Sequence, residues 1–194
     1  GEINSWSSIA KHTDNLIIFG GINPKNSQVS MGGSTEHDVA EHFKNFKRLQ
    51  KNMVSISPQQ DDSPKETNWL PIIPGTDMAL MLAIAYVLET ENLADQMFLD
   101  THSAGYQVFK KYFLGTDGHS AKTPEWASLE TGIDASQIRD LARNMASGRT
   151  LICVSWSLQR ARYGEHPFWM ACVLAAMLGP VSYTHLTLPT KSRG

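Results

Sequence analysis

"NLIIFGG", residues 15–21, decides the fold. A short, unbroken apolar run that stops at two glycines reads as a strand buried on both faces, the kind found in parallel sheets covered by helices. Further along, "MVSIS" (53–57) is a second such strand and "TLICVSW" (150–156) a third, while "LPIIPG" (70–75) is a brief extended piece. Between them the period changes to that of a helix. "STEHDVAEHFKNFKRLQ" (34–50) carries Thr35 and Asp38 at capping-box spacing and a stripe of Val39, Phe43 and Phe46. "TDMALMLAIAYVLET" (76–90) is a helix with Thr76 as its cap, and residues 93–115 hold shorter helical pieces. "KTPEWASLETG" places Thr123 as cap, Pro124 at the first helical position and Gly132 past the end. "DASQIRDLARNMASG" pairs Asp134 with Gln137, puts Ile138, Leu141, Ala142 and Met145 on one face, and closes at Gly148. Pro167 opens a last helix, with Trp169, Met170, Val173, Leu174 and Met177 expected toward the core. Strands alternating with helices specify an α/β domain with a mainly parallel, Rossmann-like sheet.

With 194 residues, 41% of them hydrophobic and 19% charged, the chain can bury a substantial core. A formal net charge of −2 gives no electrostatic case for nucleic acid or an anionic membrane as partner. No apolar run is long enough to span a bilayer. Cys153 and Cys172 are the only cysteines; one sits in a strand-like run and one in a helix-like run, so both are expected to be buried free thiols.

In such sheets, ligands lie beyond the carboxyl ends of the strands. Three polar clusters fall there: "GGINPKN" after the first strand, "SPQQDD" after the second and "WSLQR" after the third. Gly20 and Gly21 either make a tight turn or let backbone N–H groups approach a phosphate. "GGINPK" is not a nicotinamide-type G-x-G-x-x-G, and Ser57 stands where a ribose-binding acid would be expected. His37 and His42, five residues apart, do not share a helix face, which excludes a zinc pair. Asp77, in the first turn of its helix, is either a favourable acid at a helix N-terminus or a carboxylate that accepts the N–H edge of a guanine. Arg160 and Arg162 fit solvated charges, a reading that Trp156 beside them weakens for Arg160.

Taken together, "FGGINPKNSQV", "WLPIIPGTDMALMLAIAYVL", "GTDGHSAKTPEWA", "IRDLARNMASGRT" and "SWSLQRARYGEHPFWM" resemble the bacterial molybdopterin oxidoreductases of the dimethyl sulfoxide reductase family. Within it the chain is most similar to the branch of biotin or methionine sulfoxide and trimethylamine N-oxide reductases. The resemblance runs through nearly all of residues 5–180. It implies a fragment of a larger multi-domain enzyme, with residues 1–180 part of an α/β domain that grips one half of a bis-molybdopterin guanine dinucleotide cofactor carrying molybdenum. It further implies that Gly20, Gly21, Asn23 and Lys25 lie along the phosphates of the dinucleotide, and that Ser57, Gly75 and Asp77 hold its ribose and guanine end. Trp156, Gln159 and Arg160 would face the metal and the substrate funnel, where a small S- or N-oxide is reduced by oxygen atom transfer. The serine ligand to molybdenum would lie upstream of Gly1, so no metal ligand is expected within the chain.

Two departures stand out. His166 occupies a position where such enzymes usually carry Gln, and the glycine-rich turn expected after "AAMLG" is absent. In its place "VSYTHLTLPTKSRG" (181–194) resembles a translated sequencing-adapter read-through and is expected to lie outside the fold. Two other classes compete with the enzyme. One is a non-catalytic structural descendant of the same fold, as in the large iron–sulfur subunit of respiratory NADH dehydrogenases; the other is an unrelated nucleotide-binding α/β domain. The resemblance leaves the compartment open between bacterial cytoplasm and periplasm, and the electron donor unnamed.

Overall fold

The structure, a computed structural model, describes residues 6–23 and 39–179. Lys25, the Thr35/Asp38 cap, His37 and the 181–194 segment fall outside the described residues. The elements run α1 (Trp6–His12), β1 (Asn15–Phe19), α2 (Val39–Arg48), β2 (Asn52–Ser57), β3 (Asn68–Pro71), α3 (Asp77–Thr90), α4 (Gln96–His102), α5 (Tyr106–Leu114), α6 (Pro124–Thr131), α7 (Ala135–Ala146), β4 (Thr150–Val154) and α8 (His166–Leu178). Two short 3-10 turns, Gln60–Asp62 and Trp156–Arg160, follow β2 and β4. The four strands form one sheet in the order β3-β2-β1-β4, with all three pairings parallel. This is the α/β architecture expected from the alternation of strands and helices.

The unbroken apolar runs are explained by burial on both faces. Every residue of β1 and of β4 is buried. Ile17 and Phe19 of β1, Ile56 of β2 and Ile152 and Val154 of β4 join α3, α6, α7 and α8 in the larger core. Leu16, Ile18, Met53, Leu151 and Cys153 point the other way, onto Ile9 of α1 and Phe43 and Phe46 of α2. Side chains alternate across the sheet, so one run of sequence supplies both layers. Helix α3 is apolar nearly all round and sits at the centre of the larger layer, touching α5, α6, α7 and α8.

Several expectations change in detail. The third apolar strand stops at Val154, and Trp156–Arg160 form a 3-10 turn. The extended piece near residue 70 is a true fourth strand whose mixed burial marks a sheet edge. Thr76 does not cap α3; its hydroxyl donates to the Ile73 carbonyl at 2.7 Å, turned back into the preceding turn. Asp134 caps α7 by accepting from Ser136 N, whereas Thr123 caps α6 as its spacing requires. Trp169 is 69% exposed, unlike Met170, Leu174 and Met177 of the same helix, which are buried. Cys172 is also exposed, leaving Cys153 as the buried thiol. Helix α8 is too uniformly apolar for period alone to say which side faces the core.

Candidate functional site

The order β3-β2-β1-β4 reverses at β1, whose sequence neighbour β2 lies on one side and β4 on the other. A crevice opens beyond the carboxyl ends of the strands at such a reversal. In this molecule the connection leaving β1 is pinned there. Gly20 has φ +84°, and a Cβ on it would lie 2.8 Å from Ser155 Cβ and 3.0 Å from Ser157 Oγ. Gly21 has φ +73°, and a Cβ on it would lie 2.5 Å from the Asp62 carbonyl. Both glycines are therefore required by close approach of protein to protein. The Gly20 N–H donates to the Ile56 carbonyl at 2.8 Å and so continues the sheet ladder.

Beside them lies a cleft of about 520 Å³, a size suited to a nucleotide or cofactor group. Gly20, Asp62, Gly75, Asp77, Ser157, Arg162, Tyr163 and His166 are among the residues that line it. Asp77, at the N-terminus of α3, decides its chemistry. The residue is 3% exposed, and its Oδ1 has no hydrogen-bond partner. Burial pushes its carboxyl up to about 6, only partly opposed by its own backbone N–H. A buried acceptor without a donor is costly, and native proteins leave few of them. Such an oxygen in a cleft wall leaves an acceptor open to any group that brings an N–H or O–H donor.

Gly20, Gly75 and Asp77 thus come together in one cleft. Asn23 reaches its rim indirectly, donating to Asp62 Oδ1 at 2.8 Å. Ser57 lies beneath, fully buried; its hydroxyl donates to the Gln59 carbonyl and meets Ser63 Oγ and Trp69 Nε1. Trp156, Gln159 and Arg160 are exposed on the 3-10 turn after β4 and are not among the cleft-lining side chains. Arg162, read from sequence as a solvated charge, lines it, as do Tyr163 and Asp62, which the sequence did not single out. Asp62 belongs to the polar "SPQQDD" cluster, which was a usable signal; nothing local distinguishes Arg162 from Arg160. Among the described residues, no group of three or more His, Cys, Asp or Glu could hold a metal ion.

A family model for molybdopterin oxidoreductase matches residues 3–188. The chain belongs to the molybdopterin oxidoreductase family. Among its curated relatives, a trimethylamine-N-oxide reductase of Vibrio parahaemolyticus is 39% identical over 183 residues, covering 91% of this chain and 22% of that protein. A biotin sulfoxide reductase of Cereibacter sphaeroides is 37% identical, covering 93% of this chain and 25% of that protein. This chain therefore spans about a quarter or less of the length of the relatives it matches. Among solved structures, acetylene hydratase from Pelobacter acetylenicus has the same fold, with a TM-score of 0.66 at 21% identity over 88% of this chain and 22% of that one.

Proposed function

We propose that this molybdopterin oxidoreductase chain is part of a molybdenum enzyme that reduces S- or N-oxides, and that its cleft grips the guanine end of one of two molybdopterin guanine dinucleotides. The observation that carries the reading is the buried, unpartnered Oδ1 of Asp77. Guanine presents an N1–H and an adjacent amino group, two donors on one edge, which match an ionised carboxylate that can only accept. Adenine and cytosine lack that pair. The names of the relatives support the oxide substrates.

In this reading Asp77 reads the base, Gly75 lets the chain pass close to it, and Ser57 stiffens the rim beneath, through Gln59 and Ser63. Gly20, Gly21, Asn23 and Lys25 run along the phosphates. Trp156, Gln159 and Arg160 face the reacting centre on the 3-10 turn that follows β4. An indole N–H, an amide and a guanidinium are donors suited to an oxide oxygen that gains negative charge as its bond to sulfur or nitrogen breaks. The cofactor, when bound, supplies the two-electron oxygen-acceptor chemistry; the protein orients the oxide and polarises it.

The complete protein, purified and assayed for pterin fluorescence, molybdenum and reduction of trimethylamine N-oxide and biotin sulfoxide by a reduced dye, tests this. All three signals are expected. Pterin and molybdenum without oxide reduction would overturn the substrate assignment. The absence of both pterin and molybdenum would indicate a non-catalytic descendant of the fold.

A further inference from the structure

Arg160 and Arg162 stand two residues apart, yet only Arg162 lines the cleft. The backbone between them explains why. A Cβ on Gly164 would collide with the Gln159 carbonyl, so the loop folds back onto the 3-10 turn. Gly164 N donates to the Ala161 carbonyl at 3.1 Å, and His166 N to the Tyr163 carbonyl at 3.0 Å. Between them Tyr163 takes φ +60°. That left-handed conformation is unfavourable for an aromatic residue and persists only where its surroundings enforce it.

The strained turn orders three side chains in the cleft wall. The Tyr163 and His166 rings stack with centroids 5.2 Å apart and planes 6° apart. The Arg162 guanidinium carbon lies 4.8 Å from the centre of the Tyr163 ring, and Nη2 donates to the Tyr163 hydroxyl at 3.0 Å. Among the described residues, no carboxylate pairs with Arg162. Its fork is thus positioned by an aromatic face and a hydroxyl, with most of its N–H groups uncommitted. It is the one Arg or Lys among the described cleft-lining residues, which also include Asp62 and Asp77. An anionic ligand entering a cleft with two acids needs a cation there, and a planar guanidinium is suited to phosphate oxygens.

We propose that Arg162, held by Tyr163 and His166, binds a phosphate oxygen, so that the cleft takes a guanine nucleotide at both ends, Asp77 on the base and Arg162 on the phosphate. This rests on the reading that the cleft takes guanine. The complete enzyme, produced without its cofactor, can be titrated by calorimetry with guanosine, GDP and ADP. Wild-type protein is expected to bind GDP at least about tenfold more tightly than guanosine, and more tightly than ADP. Arg162→Ala and Arg162→Gln should both remove the preference for GDP over guanosine while guanosine itself binds as before. Arg162→Lys should restore part of that preference. If both neutral variants still prefer GDP as strongly as the wild type, Arg162 is no phosphate ligand, while the guanine reading stands. If the wild type binds no guanine compound, or ADP as tightly as GDP, both fall.

Discussion

At the amino end of the sheet, Asp14 accepts from Arg149 Nε at 3.0 Å and Nη2 at 3.3 Å, and from Lys51 Nζ at 3.0 Å. These three residues immediately precede β1, β4 and β2, so one ion cluster ties three strand starts together. Asn15 adds bonds to the Asn144 carbonyl and to Thr150 Oγ1. At the carboxyl end the pattern reverses. Asp77 is more buried than Asp14, yet one of its oxygens has no partner. The cations beside Asp14 hold its carboxyl far below the usual range, whereas burial pushes that of Asp77 up to about 6. The amino end is complete within the protein. The carboxyl end leaves a buried acceptor open, and on the proposed reading it is completed by the cofactor.

Five substitutions would break or sharpen this contrast, beginning with the largest expected effect. Arg160→Ala in the complete enzyme should lower kcat for oxide reduction by ~10²–10³ with unchanged molybdenum content, as removal of a donor to developing charge typically does. Steady-state assays with a reduced dye read this, and an unaltered kcat would return Arg160 to an ordinary surface charge. Gly21→Ala should destabilise the fold by at least ~1–3 kcal/mol, because a left-handed φ combines with a collision against backbone. Gly75→Ala, with φ +80° but open space around it, should cost only about 1 kcal/mol. Thermal melts that rank the two the other way would mean that the cleft wall is not packed as described.

Asp77 and Asp14 should respond to pH in opposite directions. The folded protein holds the Asp77 proton up to about pH 6, against an ordinary value of 3.8. Without cofactor, stability should therefore rise as pH falls through that window. Asp77→Asn should remove this dependence and raise stability at pH 7 by ~1–3 kcal/mol, with no gain below pH ~4. Asp14, with its folded value depressed, contributes stability above the ordinary carboxylate range that is lost as pH falls below it. Its side chain is partly exposed, so Asp14→Ala should cost at most about 1 kcal/mol. Denaturant melts from pH 2 to 8 test both signs, Asp77 between about pH 4 and 6 and Asp14 below that.

The legible parts of the molecule were those that local pattern controls. β1 and β4 declare themselves because strands buried on both faces read as unbroken apolar runs, and β2 is legible from Met53, Val54 and Ile56 although its buried Ser55 is polar, satisfied by Ser63 Oγ. β3 was faint because an edge strand with exposed ends, "NWLP", has no apolar run to show. Gly20, Gly75 and Asp77 could be placed at one rim because each follows or begins an element whose end the sequence marks. The division between Arg160 and Arg162 was not legible. It depends on a positive φ at Tyr163 and on Gly164 packing against Gln159, neither of which is a propensity of the residues concerned. Burial of Ser57 beneath the cleft likewise follows from Ser63 and Trp69 closing over it.

The most direct test is the guanine and molybdenum content of the purified complete enzyme carrying Asp77→Asn, set beside the wild type. The amide keeps the size of the carboxylate but turns one acceptor into a donor that faces the donors of guanine. If the cleft is a guanine site, both contents should fall together by about tenfold or more, while the cofactor-free protein melts no lower than the wild type. Full loading of the Asp77→Asn enzyme with guanine and molybdenum would contradict the claim that the carboxyl end of this sheet is completed by the cofactor.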